Sequence, residues 1–338
     1  MSEPRNRTKY SYDPVGNRLS SLGVSPYSVN SSNELTAIPS AAYTYDSNGN
    51  TLTKVTSAGT TTYAWDYDNR LTSVTLPGTG GTLAFKYDAL HHRVQKVFTQ
   101  GSTTTTTNYL YDGDNAVADL DQNGNILARY TATQDIDKPL AELRSGTTSY
   151  YSQDGLGSVT SLTTAAGTLG NTYRYDSFGN VTASSGSISN RFEYTAREFD
   201  SETGLNYYRA RYYDPNTGRF LSEDPVRFSS NQFDFYSYVS NNSLRFSDPF
   251  GLCLLQFDSV TSYHLKCQQM PSQKDLCACH AVYIPNDVYQ EFIDSCMACG
   301  KKDATPRDAC LCTCNLLKKF IPERINQTCE TFCKVANP

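Results

Sequence analysis

Residues with chemical potential concentrate in two places along the 338-residue chain. Three Asp-Pro steps, Asp214-Pro215, Asp224-Pro225 and Asp248-Pro249, fall within residues 191–252, and all eleven cysteines lie after Leu252. Two carboxylates held close cannot both ionise. Sharing one proton, one of them can activate water while the other protonates an amide nitrogen. An arginine beside such a pair keeps one carboxylate ionised or polarises the carbonyl under attack. An aspartate before proline is foremost a turn former, and spacing alone favours that role; Asp214 is read as a turn residue.

Residues 191–252 also carry the motifs Asp200-Ser-Glu-Thr-Gly204 and Asp214-Pro-Asn-Thr-Gly218. Asp first, polar residues in the middle and Gly at the positive-φ position is hairpin chemistry. Between them Leu205, Tyr207, Arg209 and Arg211 alternate with Asn206, Tyr208, Ala210 and Tyr212. That pattern predicts one strand with both faces occupied.

Ahead of this stretch a short signature recurs: an aromatic, Asp, two spacers, then Gly-Asn or a basic residue. It stands at Tyr12-Asp-Pro-Val-Gly-Asn17, Tyr45-Asp-Ser-Asn-Gly-Asn50, Tyr67-Asp-Asn-Arg70, Tyr87-Asp-Ala-Leu90, Tyr111-Asp-Gly-Asp114 and Tyr175-Asp-Ser-Phe-Gly-Asn180. Such spacing predicts stacked hairpins, because one unit cannot bury its own face. The aromatics at i and i+2 share a strand face; their expected role is packing, with the hydroxyls in water. The run Gly101-Ser-Thr-Thr-Thr-Thr-Thr107 is read as the second half of a long hairpin. Asp154-Gly-Leu-Gly-Ser158 is a glycine-rich turn that makes a poor phosphate loop, with no Lys or helix pattern after it. His91 and His92 are expected at the surface.

Charged residues make up 19% of the chain, net charge is −5, and tyrosine numbers 25. This is the composition of β structure with wet faces. Without surplus basic charge, the repeat region is not expected to bind nucleic acid or acidic membranes. No run of the sequence is long enough to span a bilayer, and the N-terminus lacks the apolar core of a signal peptide. The expectation is a secreted or cell-surface protein whose export signal lies elsewhere, the chain being the last part of a larger protein or one product of a split gene.

The segment FEYTAREFDSETGLNYYRARYYDPNTGRFLSEDP, followed by DPFGL, resembles the repeat-associated core of the Rhs (rearrangement hotspot) and YD-repeat proteins. The resemblance implies a shell of β-hairpins closed by this core. It also implies self-cleavage after the Asp-Pro-x-Gly-Leu motif, releasing a variable C-terminal passenger that is often a toxin. Carried onto this sequence, the carboxylate pair is Asp224 and Asp248, Arg197 assists, and the bond cut is Leu252-Cys253. Val226-Arg227-Phe228 after the second Asp-Pro, and Asn231-Gln232-Phe233-Asp234-Phe235-Tyr236 further on, depart from the family's pattern, which makes Asp234 an alternative acid.

After Cys253 the apolar period changes to about 3.6, predicting helices over residues 285–299, 306–320 and 322–335. Cys310, Cys314, Cys329 and Cys333 resemble the helical hairpin closed by two disulfides in small secreted peptides. The rival is zinc on Cys277, Cys279, Cys296 and Cys299, with His264 or His280 as substitutes; cysteine density in an exported module favours disulfides. Eleven cysteines leave one thiol over, and Cys253 is a candidate. Neither histidine of this region stands in a nuclease or deaminase frame.

The fold class expected is therefore mainly β: a YD-repeat sheet (1–190), an Rhs-type core (191–252), and a small helical, cysteine-rich passenger (253–338). No cofactor is expected. Expected partners are the chain's own passenger, an immunity protein and a target-cell surface. A non-enzymatic adhesive or carbohydrate-binding scaffold with a disulfide-stapled tail is the alternative. About 250 residues are expected to build only part of a shell.

Overall fold

The structure, a computed structural model, describes residues 10–22, 24–227 and 233–252. All of these except residues 225–227 belong to one compact unit. The predicted helices, the four-cysteine pairing, the zinc alternative and Cys253 lie outside the described residues.

A two-stranded hairpin, β1 (Tyr10–Tyr12) and β2 (Arg18–Ser21), leads into a sheet of sixteen strands, β3 (Ser28–Val29) to β18 (Val181–Ser185). Every strand of that sheet pairs antiparallel with its neighbour in sequence. A second sheet of four strands, β19 (Glu198–Asp200), β20 (Leu205–Tyr208), β21 (Arg211–Asp214) and β22 (Arg219–Phe220), forms the core of residues 191–252. Mainly β architecture thus stands as expected. The threonine run pairs as the return strand of the longest hairpin, β10 (Arg93–Gln100) with β11 (Thr103–Asp112).

The Asp of the repeat signature explains the turns. The Asp46 carboxylate accepts the backbone N–H of Asn48 and of Asn50, both at 2.9 Å, while the Asn50 amide returns to its other oxygen at 3.0 Å. Asp13 and Asp176 do the same with Asn17 and Asn180. Gly49 carries the positive φ (+80°) that closes the loop. Asp154 builds the same turn, binding the N–H groups of Leu156 and Ser158.

The third repeat sits two residues earlier than its Tyr67-Asp68 letters suggest. Its turn aspartate is Asp66, which binds the N–H groups of Asp68 and Arg70, and Trp65 takes the tyrosine's place. Tyr67 is fully exposed.

A register shift falls at the aromatic beside these turns, at Tyr45, Trp65 and Tyr175. Bulges re-aim side chains, and here the hydroxyls do not end in water. Tyr45 donates to the Leu35 carbonyl, Tyr87 to Leu71 and Tyr175 to Val159, at 2.6–3.0 Å. The Trp65 indole N–H donates to the Thr51 carbonyl at 2.8 Å. Each of these signature aromatics thus stitches its hairpin to the preceding one.

The Asp-turns line one edge of the sheet and meet the core one after another. Leu221 accepts Thr51 N–H, Tyr236 donates to Gly49, Tyr207 donates to His91, and Tyr213 donates to Phe178. The first and last turns also touch: the Tyr10 ring lies 5.1 Å from that of Phe178, with the Arg18 guanidinium 3.9 Å above the same ring. At this edge successive turns of the chain thus contact core residues. Apolar packing follows, with Leu71, Val74, Leu83 and Phe85 of the sheet against Leu205, Tyr207, Tyr212 and Leu221 of the core. His92 is buried, not at the surface, because its own turn sets Asp88 (3.3 Å) and the neighbouring turn sets Asp114 (3.1 Å) against its two ring nitrogens.

Candidate active site

The predicted single strand over residues 205–212 is two strands. Tyr208 pairs with Arg211, so Arg209 and Ala210 form a tight turn, and Arg209 adopts φ +58°. No Gly, Asn or Pro marks this turn, which is why the alternation runs straight through it. All eight residues of β20 and β21 are buried, so both faces are occupied as expected.

This tip receives the DPFGL segment. Arg209 Nη1 donates to the Pro249 carbonyl, Ala210 N–H to that of Phe250 at 3.1 Å, and Arg211 Nε to that of Gly251. Three successive carbonyls are therefore gripped by three successive residues. Gly251 is required here: it adopts φ +69°, and a Cβ would overlap the Tyr208 carbonyl oxygen.

Arg211 also joins the two aspartates. Its Nη2 lies 3.2 Å from Asp224 Oδ2 and 3.6 Å from Asp248 Oδ2. Its Nη1 donates to the Phe235 carbonyl at 2.9 Å, and its plane sits 3.6 Å over the Phe220 ring. Asp248 Oδ1 accepts the Leu252 N–H at 3.2 Å. Both carboxylates and the guanidinium are buried, at 4, 2 and 3% exposure. A buried cation fixed by a ring, two carbonyls and two carboxylates is held in one orientation. Arg211 spans Asp224 and Asp248 across an interval whose described residues include turns, a bridge from Ser237 to Arg219 and a 3-10 turn, Val239–Asn241.

Arg211, not Arg197, is the arginine at the carboxylates. Arg197 Nη1 pairs with Asp137 at 2.5 Å and its Nη2 donates to the Tyr207 carbonyl at 3.0 Å. Asp234 binds Arg219 through both oxygens, at 2.9 and 3.0 Å. Asp214 closes its turn on Asn216 N–H and pairs with Lys54 at 3.0 Å. Arg209 and Arg211 are legible in the sequence only as polar residues between two tyrosine pairs. Among the described residues no cluster of His, Cys, Asp or Glu is arranged to hold a metal.

Sheet and core are further joined by buried charge. Arg93 pairs with Asp200 and, at 3.0 Å, with Glu198; Arg191 binds Glu198 at 2.8 Å and Asp119 at 2.6 Å. Burial alone would raise the Glu198 and Asp200 carboxyls. Arg191 and Arg93 at the first, and Arg93 and Lys96 at the second, outweigh it and hold both below the ordinary range. Glu193 has no such cation among the described residues, and burial pushes its carboxyl up to about 7.

A sheet of Tyr-Asp hairpins, stitched in sequence order and wrapped around a core ending in an Asp-Pro-Phe-Gly turn, defines a YD-repeat shell. Residues 2–248 match the family described as Teneurin YD-shell, and the chain belongs to it. The tRNA nuclease WapA of Bacillus subtilis strain 168 is 35% identical over 259 residues, 72% of this chain and 11% of WapA. The double-stranded DNA deaminase toxin A of Burkholderia cenocepacia strain H111 is 23% identical over 301 residues, 79% of this chain and 21% of that protein. The solved Tc holotoxin pore of Photorhabdus luminescens shares the fold, with a TM-score of 0.50 at 17% identity over 75% of this chain and 17% of that one. The chain thus spans a small share of the proteins it matches. Among the described residues no helix is long and apolar enough to cross a membrane, which says nothing of β-barrels.

Proposed function

We propose that this chain is a polymorphic-toxin-type YD-shell protein that cuts itself between Leu252 and Cys253, releasing residues 253–338 as a passenger. The observation that carries the reading is Arg211: one guanidinium touches both aspartates and the Gly251 carbonyl, one residue before the bond to be cut. Water adds to the Leu252 carbonyl carbon and gives its proton to one carboxylate. The other carboxylate, entering protonated, supplies a proton to the departing nitrogen of Cys253. The C–N bond breaks, leaving a carboxylate on Leu252 and an amine on Cys253. Arg211 balances the charge shared by the pair and holds the substrate strand. Because that strand is part of the fold, its positioning entropy is already spent.

The names of the relatives, a tRNA nuclease and a DNA deaminase toxin, support a toxin passenger, and we place that passenger in a secreted or extracellular protein. Its partners would be an immunity protein and a target cell. Intact mass of the purified chain beside Asp224→Ala and Asp248→Ala versions is the test. Two fragments that meet at Leu252-Cys253 in the wild type, and one full-length chain in each variant, are expected. A full-length chain in all three would refute self-cleavage and leave the adhesive scaffold.

A further inference from the structure

Residues that the cleavage chemistry does not use stand behind the grip on the DPFGL segment. Asp137 lies in the loop between β13 (Ile126–Ala132) and β14 (Pro139–Arg144), outside the core. Its carboxylate takes Arg209 Nη2 at 2.9 Å and Nη1 at 3.2 Å, together with Arg197 Nη1. A second turn of the sheet adds the Asp114 carbonyl, which accepts from Arg209 Nη2 at 2.8 Å. Arg209 passes the constraint on, since its Nη1 donates to the Pro249 carbonyl, the first of the three gripped carbonyls. Asp137, Arg197 and Arg209 line one small cavity of about 20 Å³, and both arginines are almost wholly buried.

We propose that Asp137 is a positioning residue for self-cleavage, coupling assembly of the repeat sheet to the cut and setting which peptide bond meets the aspartates. The inference rests on the cleavage reading above. The physical argument is local. A buried guanidinium needs an anion, and Asp137 supplies it to Arg209 and Arg197 at once. Remove that charge and two adjacent cations face each other, so Arg209 must move off the Pro249 carbonyl. The carbonyl clamp then holds at two points instead of three, and the Leu252-Cys253 bond is free to shift against Asp224 and Asp248. A displacement of about 1 Å in a reacting group costs about 100-fold in rate. A core whose sheet has not yet delivered Asp137 and the Asp114 carbonyl would hold its passenger uncut.

The test follows cleavage of the whole chain over time in cell-free synthesis, with product masses recorded. Asp137→Ala should cleave about 100-fold more slowly than wild type and yield some product cut at neighbouring bonds. Asp137→Glu should recover most of the rate. Lys54→Ala removes another ion pair between sheet and core, Lys54–Asp214 at 3.0 Å, and should leave rate and cut position unchanged. Arg209→Lys keeps a cation for Asp137 but loses the fork that reaches Pro249, so it should slow cleavage with an unchanged melting temperature. That variant decides the matter if Asp137→Ala does not fold. Wild-type rates in Asp137→Ala and Arg209→Lys would overturn this inference alone, as would equal slowing of Asp137→Ala and Lys54→Ala. An uncut wild-type chain would overturn the cleavage reading itself.

Discussion

Replacing Glu193 by glutamine should remove a loss of stability that the shell suffers as pH rises from 4.5 to about 7. Glu193 is 8% exposed, and its backbone ties sheet to core: its carbonyl accepts Val159 N–H at 2.9 Å, and its N–H donates to the Arg197 carbonyl at 3.0 Å. Its side chain lies within electrostatic reach of Tyr173 and Tyr175. Burial raises its carboxyl from 4.5 to about 7. Below pH 4.5 the group is protonated both folded and unfolded, and the protonated side chain is accommodated in full. Between pH 4.5 and 7 the unfolded chain sheds the proton while the fold retains it, so stability falls as pH rises. Above pH 7 the loss saturates. Each unit of that window is worth about 1.4 kcal/mol, and residual solvent contact trims the total to about 2–3 kcal/mol. Glutamine fills the same volume and never ionises. Glu193→Gln should therefore match wild type at pH 4 and exceed it by about 2–3 kcal/mol at pH 8. That gain amounts to a melting-temperature difference on the order of 5–10 °C for a unit of this size. Thermal melts of both proteins at pH 4, 6 and 8 measure the gap directly. A gap that is constant across the three pH values would refute the reasoning, because a packing effect has no pH dependence.

Two further outcomes follow from geometry. Arg93→Met leaves Glu198 and Asp200 buried with fewer cations, and should cost about 3–5 kcal/mol in denaturant unfolding; a loss under about 1 kcal/mol would mean that the remaining partners, Arg191 and Lys96, suffice. Gly251→Ala should slow cleavage without lowering the melting temperature of the sheet, since the added Cβ collides only with the tip of the β20–β21 hairpin; cleavage at the wild-type rate would show that the segment is not seated there during the reaction.

Local chemistry makes the repeat units readable from their letters. An Asp that caps its own turn, a Gly at positive φ and an aromatic two residues from another aromatic interact within a few residues, so their spacing carries the hairpin in the sequence. The same local logic places the Asp200 and Asp214 turns, where the N–H groups of Gly204 and Gly218 return to the aspartate carbonyls at 2.8 Å. The third unit defeats that logic because Trp65-Asp66 and Tyr67-Asp68 offer equivalent letters, and only the bulge at Trp65 tells which aspartate faces the turn.

The composition of the site is legible in the sequence, but its assembly is not. Asp224 and Asp248 stand out by the resemblance of their motifs, whereas Arg211 takes the place expected of Arg197 because of a turn at Arg209-Ala210 that no glycine or proline announces. A shift of that kind moves every side chain beyond it to a new neighbour. Buried His92, the tyrosine hydroxyls bonded across repeats and the reach of Asp137 to Arg209 have the same origin. Each depends on which turn lies beside which once the sheet has wrapped its core. The hairpins, their aromatic faces and the acidic motifs are written in the chain itself, since they are settled within one or two turns of it. Which arginine meets which aspartate emerges only on folding, because buried charges find partners by proximity in space, and here those partners come from turns far apart in the chain.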